Sequence, residues 1–432
     1  MNCRITVRIL IDLVHINQLT INDMMKFEIN RCKIVSSLKV TGLILMFILC
    51  SGVCSAQKKS DEQQFTSIEY APFSDNTNHW YSVADKHNMI NALPDRPRYK
   101  PTEIIKIADN MLLFQKENGG WPKNYDFFAI LSDSQRESVK QGKNLTNTTF
   151  DNGNTYTQIA ALAIAYKATG IEKYKAACLK GLDFVLKAQY ANGGWPQYYP
   201  LEKNNYSSHI TYNDGAMVGI MILLKDILDG KPAYTFIDNS FKTKLQKAYD
   251  KGLDCILKTQ IVDNGKLTVW CQQHDEVTLQ PAWARKFEPA AICSQESAEL
   301  VAFLMSINHP DQRIIKAIES AVSWFEESKI YNTRVDKVPA SSMQTPYRLS
   351  KFDRVVVYDS TAPPVWTRYY ELKTHRPLFC NRDSKVVYSL AEVERERRDG
   401  YAWYNYSPQK ILNKYPKWKQ KLVSGNDVLK AK

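Results

Sequence analysis

Several signatures are missing from this chain. It contains no Gly-x-x-x-x-Gly-Lys-[Ser/Thr] loop, no Gly-x-Gly-x-x-Gly after a strand, no His-Glu-x-x-His and no Gly-x-Ser-x-Gly. P-loop phosphate cradling, dinucleotide binding, zincin-type hydrolysis and nucleophile-elbow hydrolysis are thereby set aside. No βαβ alternation and no regular run of alternating strands is present, which excludes a doubly wound sheet and a β-sandwich. Basic residues are interspersed with acidic ones, so no nucleic-acid stripe exists. The formal charge is nevertheless +12, from 57 Lys+Arg against 45 Asp+Glu. That excess leaves a polyanionic partner open without naming it.

Long apolar runs are also lacking. The run over residues 42–54 (GLILMFILCSGVC) is too short for a comfortable membrane span. It follows Arg31, Lys33 and Lys39 and ends at Cys54-Ser55-Ala56, the order of a secretory signal. We expect residues 1–56 to be a leader, with Met24 or Met25 as an alternative start, and 57–100 an irregular lead-in broken by Pro72, Pro94 and Pro97. Cys50 and Cys54 lack the small preceding residue that lipid attachment needs, so surface tethering is the less favoured route. Without the leader 51 basic and 42 acidic residues remain, a charge of +9. Five scattered cysteines then remain, Cys178, Cys255, Cys271, Cys293 and Cys380. They make no disulfide framework and read as small buried hydrophobes.

What is present is a repeat. A helical apolar pattern from residue 101 ends at Gln115 and Asn118-Gly119-Gly120-Trp121-Pro122; another ends at Gln189 and Asn192-Gly193-Gly194-Trp195-Pro196. A weaker third copy runs through Gln260, Asp263-Asn264-Gly265 and Trp270. A degraded fourth is expected over 317–330, closed by Trp324-Phe325. Between copies lie second helices, expected over 155–169, 215–228 and 294–307. Helix pairs at this period predict an all-α array, an α/α toroid (incomplete α/α barrel) over 101–425 with irregular loops and a few short strands.

In such an array the loops before the second helices converge, and three of them are polar beyond what packing requires. Asp151-Asn152 and Asn213-Asp214-Gly215 each stand at a helix start. Singly each is a cap; together they supply two carboxylates and an amide oxygen, the hard-oxygen set that Ca²⁺ accepts. The segment 270–289 brings His274, Asp275 and Arg285. Alternatively His274 is a satisfied core imidazole and Arg285 a surface ion pair. Arg354 and Arg368 bracket a short strand expected at Val355-Val356-Val357. Arginine suits carboxylate recognition, although nearby Asp353, Asp359 and Glu371 could simply pair with the two.

Taken in order, Asp151-Asn152-x-x-Thr155, Gly-Gly-Trp-Pro-Gln-x-Tyr-Pro at 193–200, Tyr212-Asn213-Asp214-Gly215-Ala216-Met217, Gln273-His274-Asp275-x-Val277-Thr278-Leu279, Pro281-Ala282-Trp283-Ala284-Arg285 and Pro363-Pro364-x-Trp366-x-Arg368-Tyr369-Tyr370-Glu371 resemble the family 10 polysaccharide lyases. Arg397-Arg398-x-Gly400-Tyr401-Ala402-Trp403-Tyr404 resembles them too. The resemblance covers about 100–410. It implies a toroid-like α/α fold and cleavage of polygalacturonate by β-elimination with Ca²⁺; the N-terminal extension and the lack of an attached carbohydrate-binding module are the less typical features. It further implies Asp151, Asn152 and Asp214 at the calcium, Arg285 abstracting the C5 proton, and Arg354 and Arg368 on the uronate carboxylates; His274 and Asp275 are expected to contact substrate. Arginine is a difficult base, and we expect crowding by Arg354 and Arg368 to make its neutral form accessible. A toroid glycoside hydrolase using Asp151 and Asp214 as acid and base, or a non-catalytic polyuronate-binding protein, are the competing readings. The expected protein is an exported, secreted or periplasmic monomer that does not insert in a membrane and does not bind nucleic acid.

Overall fold

The computed structural model describes residues 65–78, 96–202, 205–345 and 349–430. The expected leader and most of the lead-in lie outside the described residues. Eight helices carry the repeat: α1 (Ile104–Phe114), α2 (Tyr156–Thr169), α3 (Glu172–Ala188), α4 (Ala216–Leu228), α5 (Asn239–Thr259), α6 (Ser294–Met305), α7 (Gln312–Glu327) and α8 (Ser407–Lys430). They pack in two layers. α1, α3, α5 and α7, the outer helices, neighbour one another in one layer; α2, α4 and α6, the inner helices, follow one another in the other, with α8 packed on α6 and α7. Each layer presents its apolar face to the other, and the largest core cluster lies between them.

The repeated phrase has one physical job, seen three times. Gln115 Nε2 donates to Gly119 O within its own turn (2.9 Å) and to Ala177 O of the next outer helix (3.0 Å). Gln189 does the same with Gly193 O and Ala248 O, and Gln260 with Thr268 O and Ala317 O. Each tryptophan turns back to its own outer helix: Trp121 Nε1 donates to Met111 O, Trp195 to Val185 O and Trp270 to Ile256 O, all at 2.7–2.8 Å. The glycines are needed where turn and helix touch. Gly193 has φ +97°, and a Cβ there would lie 2.0 Å from Lys251 O.

The fourth unit corrects the sequence reading. Trp324 does not close it; Trp366 does, donating Nε1 to Phe325 O at 2.9 Å. The expected motif was obscured because a long insertion separates helix from tryptophan. That insertion is an antiparallel hairpin, Thr333–Gln344 with Leu349–Tyr358, in which the expected Val355–Val357 strand lies near the C-terminal end of a ten-residue strand. The all-α expectation is therefore too narrow: the chain is largely helical, about 47% helix and 16% strand, with no closed barrel among the described residues. A second core cluster, built on Phe287, Tyr369, Phe379 and Trp403, supports the loops rather than the helices. All five remaining cysteines are free and buried, as expected.

Candidate active site

The inner helices are entered through equivalent turns. The backbone N–H of Thr149, Thr211 and Cys293 each donates to the carbonyl of the unit's tryptophan, Trp121, Trp195 and Trp270. Counting from these anchors, Asp151 matches Asn213, and Asn152 matches Asp214. The left-handed backbone agrees, with φ 51° at Asn152 and 52° at Asp214. The two aspartates are thus one position out of phase, contrary to the simple expectation of one carboxylate at the same point of each repeat. In the third unit Glu296 stands where Asn152 and Asp214 stand.

The tryptophan turns supply a second equivalent set, two residues beyond each indole: Lys123, Gln197, Gln272 and Arg368. Lys123 Nζ pairs with Asp151 Oδ2 in a short contact, and Gln197 Nε2 donates to Asp151 Oδ1 at 3.0 Å. Gln272 Oε1 accepts from Tyr369 Oη at 2.5 Å, and Arg368 pairs with Glu296 in a short contact. Arg368 is held on both sides of its backbone, by Trp403 O and Ser294 N–H, and its guanidinium lies 4.6 Å from the Tyr401 ring centroid. Its Nε is buried without a hydrogen-bond partner.

Asp214 is half-buried and Glu299 exposed, yet protein atoms crowd both carboxylates. Burial, then the charge of Asp151, pushes Asp214 up to about 6, against the opposing pull of Arg368 and Arg285. Burial, then Glu296 and Asp214, pushes Glu299 up to about 7. Asn152 Nδ2 donates to Asp75 Oδ2 at 2.9 Å, tying the first turn to the lead-in.

Arg285 is not crowded into neutrality by arginines. Its Nε and Nη2 pair with both oxygens of buried Glu288, at 2.7 and 2.5 Å, and Tyr401 Oη donates to the same carboxylate at 2.8 Å. Burial alone would lower the guanidinium's pKa, but the Glu288 charge overrides it and raises it above its ordinary value. Arg285 in turn holds Glu288 down to about 2 against burial. Arg354 comes from the hairpin and lines a small cavity of about 110 Å³ with Tyr401 and Trp403. Tyr401 is thus the shared neighbour of Arg354 and Arg368.

The two expected substrate contacts, His274 and Asp275, share one loop. His274 is wholly buried: Nε2 accepts from Cys271 N at 3.1 Å and Nδ1 donates to Leu279 O at 2.9 Å. Burial lowers it to about 4, so it is a neutral imidazole that shapes its loop. Asp275 Oδ1 accepts from the Val277 and Thr278 N–H groups, capping that same loop. Asp275 does lie with His209 and Glu276 in a group whose ligand atoms fall within 4.8 Å of one another. An imidazole in that set suits a transition metal better than calcium.

Sequence reasoning missed Lys123, Gln197, Glu288, Glu296 and Glu299. Aligning the repeats by their tryptophans would have exposed Lys123 and Gln197, since both sit two residues after one. No spacing signal flags Glu288 or Glu299.

The comparisons agree with this geometry. The profile of a family described as "Pectic acid lyase" matches residues 115–412. Among solved structures, a family 10 polysaccharide lyase from Cellvibrio cellulosa is 31% identical, covers 72% of this chain and 91% of that one, and superimposes with a TM-score of 0.60. An aspartate-to-alanine mutant of the family 10 lyase from that organism, in complex with trigalacturonic acid, gives 31% identity, 72% and 92% coverage and a TM-score of 0.59. No curated protein sequence matches. With a repeated helix-pair scaffold, carboxylates and arginines converging on one cleft, and these matches over most of its length, the chain belongs to the pectic acid lyase family and is a family 10 polysaccharide lyase.

Proposed function

We propose that this pectate lyase cleaves polygalacturonate by calcium-dependent β-elimination, releasing 4,5-unsaturated oligogalacturonides. The observation that carries the reading is one cleft in which the carboxylates of Asp151, Asp214 and Glu299 meet the guanidinium groups of Arg285 and Arg368. Removing the weakly acidic C5 proton builds negative charge on the adjoining carboxylate, and fixed positive charge aimed at that place stabilises it.

The residues present fit a hard cation. Asp151 and Asp214 repel each other across a desolvated floor, and Lys123 already neutralises one Asp151 oxygen. With the Asn152 amide oxygen they would hold Ca²⁺. Bound there, the ion would add positive charge opposite the uronate carboxylate. Arg368, with its unpartnered Nε, and Arg354 would bind uronate carboxylates. Arg285 would take the C5 proton; the C5–H electrons form the C4=C5 bond, the C4–O bond breaks, and the departing oxygen takes a proton from water. The Arg285–Glu288 pair opposes this step, because each pKa unit above the working pH costs about 1.4 kcal/mol. The reading therefore has substrate drawing Arg285 away from Glu288.

The test is ultraviolet absorbance on polygalacturonate with Ca²⁺, with EDTA, and with Ca²⁺ restored. Loss and recovery are expected; activity indifferent to EDTA removes the calcium assignment. Shortened chains without a double bond would instead favour a hydrolase, for which the raised pKa of Asp214 would suit a general acid. Arg285→Ala and Arg285→Lys should each lose on the order of 10²–10⁴ in kcat with folding intact, and near wild-type turnover in either removes Arg285 as the base.

The same reading includes the helix layers closing into an incomplete α/α toroid over 101–425. It also includes export of the chain through its leader and action as a monomer. The neighbouring units contact in the order a toroid requires, and no helix among the described residues is long and apolar enough to cross a membrane.

A further inference from the structure

At the opposite end of α6 from the cleft lies a groove of about 760 Å³, bounded by the α6–α7 connection and the exposed face of α8. Glu296, in the first turn of α6, and Met305, at its last residue, are on the order of 13 Å apart along the helix. The groove and the cleft are therefore separate places on one rod. The floor is apolar, made by Ile307, Ile315 and the flank of Trp418. The rim is basic: Lys414, Lys417 and Lys421, all exposed, follow the i, i+3, i+7 spacing that puts them on one helix face, spread over about 10 Å. None of the fifteen lining residues is acidic, and the other polar groups are amides, a hydroxyl and an imidazole. Among the described residues no ion pair holds these three lysines, whereas their neighbour Lys419 is bound to Glu319 at 3.1 Å.

A row of uncompensated ammonium groups costs solubility nothing, but it carries self-repulsion that an anionic occupant would relieve. Amide and hydroxyl hydrogen-bonding groups above an apolar floor suit a sugar ring, which has both hydroxyls and C–H faces. We propose that this groove is a second binding site for an acidic polysaccharide, holding a polyuronate strand away from the cleft that cleaves it. The inference rests on the polyuronate reading above and extends it from one site to two. A polymer long enough to span both places would be bound with an effective concentration that a trimer cannot enjoy.

The experiment uses the whole mature chain in EDTA, where the proposed cleavage is silent, and measures retardation in gels containing polygalacturonate. The triple variant Lys414→Ala/Lys417→Ala/Lys421→Ala should lose retardation by on the order of tenfold, with thermal midpoint unchanged because the three side chains are exposed. With Ca²⁺, the variant should cleave trigalacturonate at the wild-type rate while its kcat/KM on polymer falls several-fold. Equal retardation of variant and wild type overturns the proposal, as does equal competition by dextran sulfate and polygalacturonate, which would make the groove a general polyanion surface. Cleavage that persists in EDTA removes the calcium reading instead and leaves the groove standing, since the retardation lost in the triple variant reads the groove and absorbance the cleft.

Discussion

The outer face of the helix pairs and the cleft face are built from the same repeats but obey different rules. On the outer face the same contact recurs with the same atoms: a glutamine amide bridging its turn to the next helix, and an indole N–H on its own helix carbonyl. Two residues further on, toward the cleft, the four units carry Lys123, Gln197, Gln272 and Arg368. The first position is fixed by packing, since buried amide and indole groups must find partners. The second is free to vary in charge because the backbone beneath it is already held. Four equivalent positions thus supply a cation, two amides and a guanidinium to one site.

Four experiments separate the two kinds of position. Trp366→Ala removes a wholly buried indole from the fourth unit and should cost about 3–5 kcal/mol in denaturant unfolding. A cost no greater than that of an exposed aromatic such as Tyr358 would mean that Trp366 is not the fourth repeat tryptophan. Next, exchanging the first turn by Asp151→Asn with Asn152→Asp gives it the order of the second. Lys123 and Gln197 then lose their carboxylate, and calcium affinity by titration calorimetry should fall on the order of 10- to 100-fold; unchanged affinity would mean that phase does not matter. Third, Gly193→Ala should destabilise by about 1–3 kcal/mol, and clearly more than Gly265→Ala. Both have positive φ, but only at Gly193 would the new methyl meet backbone. Equal costs would reduce the turn's requirement to dihedral preference alone.

The smallest effect concerns pH. Asp214 is raised from 3.8 to about 6 in the folded chain, so between those values the native state binds more protons than the unfolded one. Stability should therefore fall as pH rises from about 4 to 6, and Asp214→Asn should flatten that slope in thermal melts without calcium. An unaltered slope would show that Asp214 is not the strained carboxylate.

Much of this was readable from sequence where local rules suffice. The helix starts at 156, 216 and 294 fell within a residue of expectation, because periodicity and polar entry turns mark them. Asp151, Arg285 and Arg368 lie within electrostatic reach of Asp214. What escaped depended on distance in sequence. Glu296 meets Arg368 across 72 residues, and Tyr401 meets Glu288 across 113. The burial of His274 follows from the strand pairing of Gln273–His274 with Ile210–Thr211, which no short window contains. The ion pair that holds Arg285 is local, but Glu288, three residues away, carries no spacing signal that sets it apart from any other loop acid.

The hairpin over residues 333–358 sets how much chain the fourth unit must close. The indole-to-helix bond spans 10 residues in each of the first two units, 14 in the third and 41 in the fourth. Closing the longest rather than the shortest of these loops costs about 1.2 kcal/mol more chain entropy. The first three units close over short stretches of chain, while the fourth closes across the whole hairpin. Because that last unit carries Arg368, its guanidinium joins the site through the longest of the four closures, whereas Asp151, Asp214 and Arg285 belong to units closed over shorter ones.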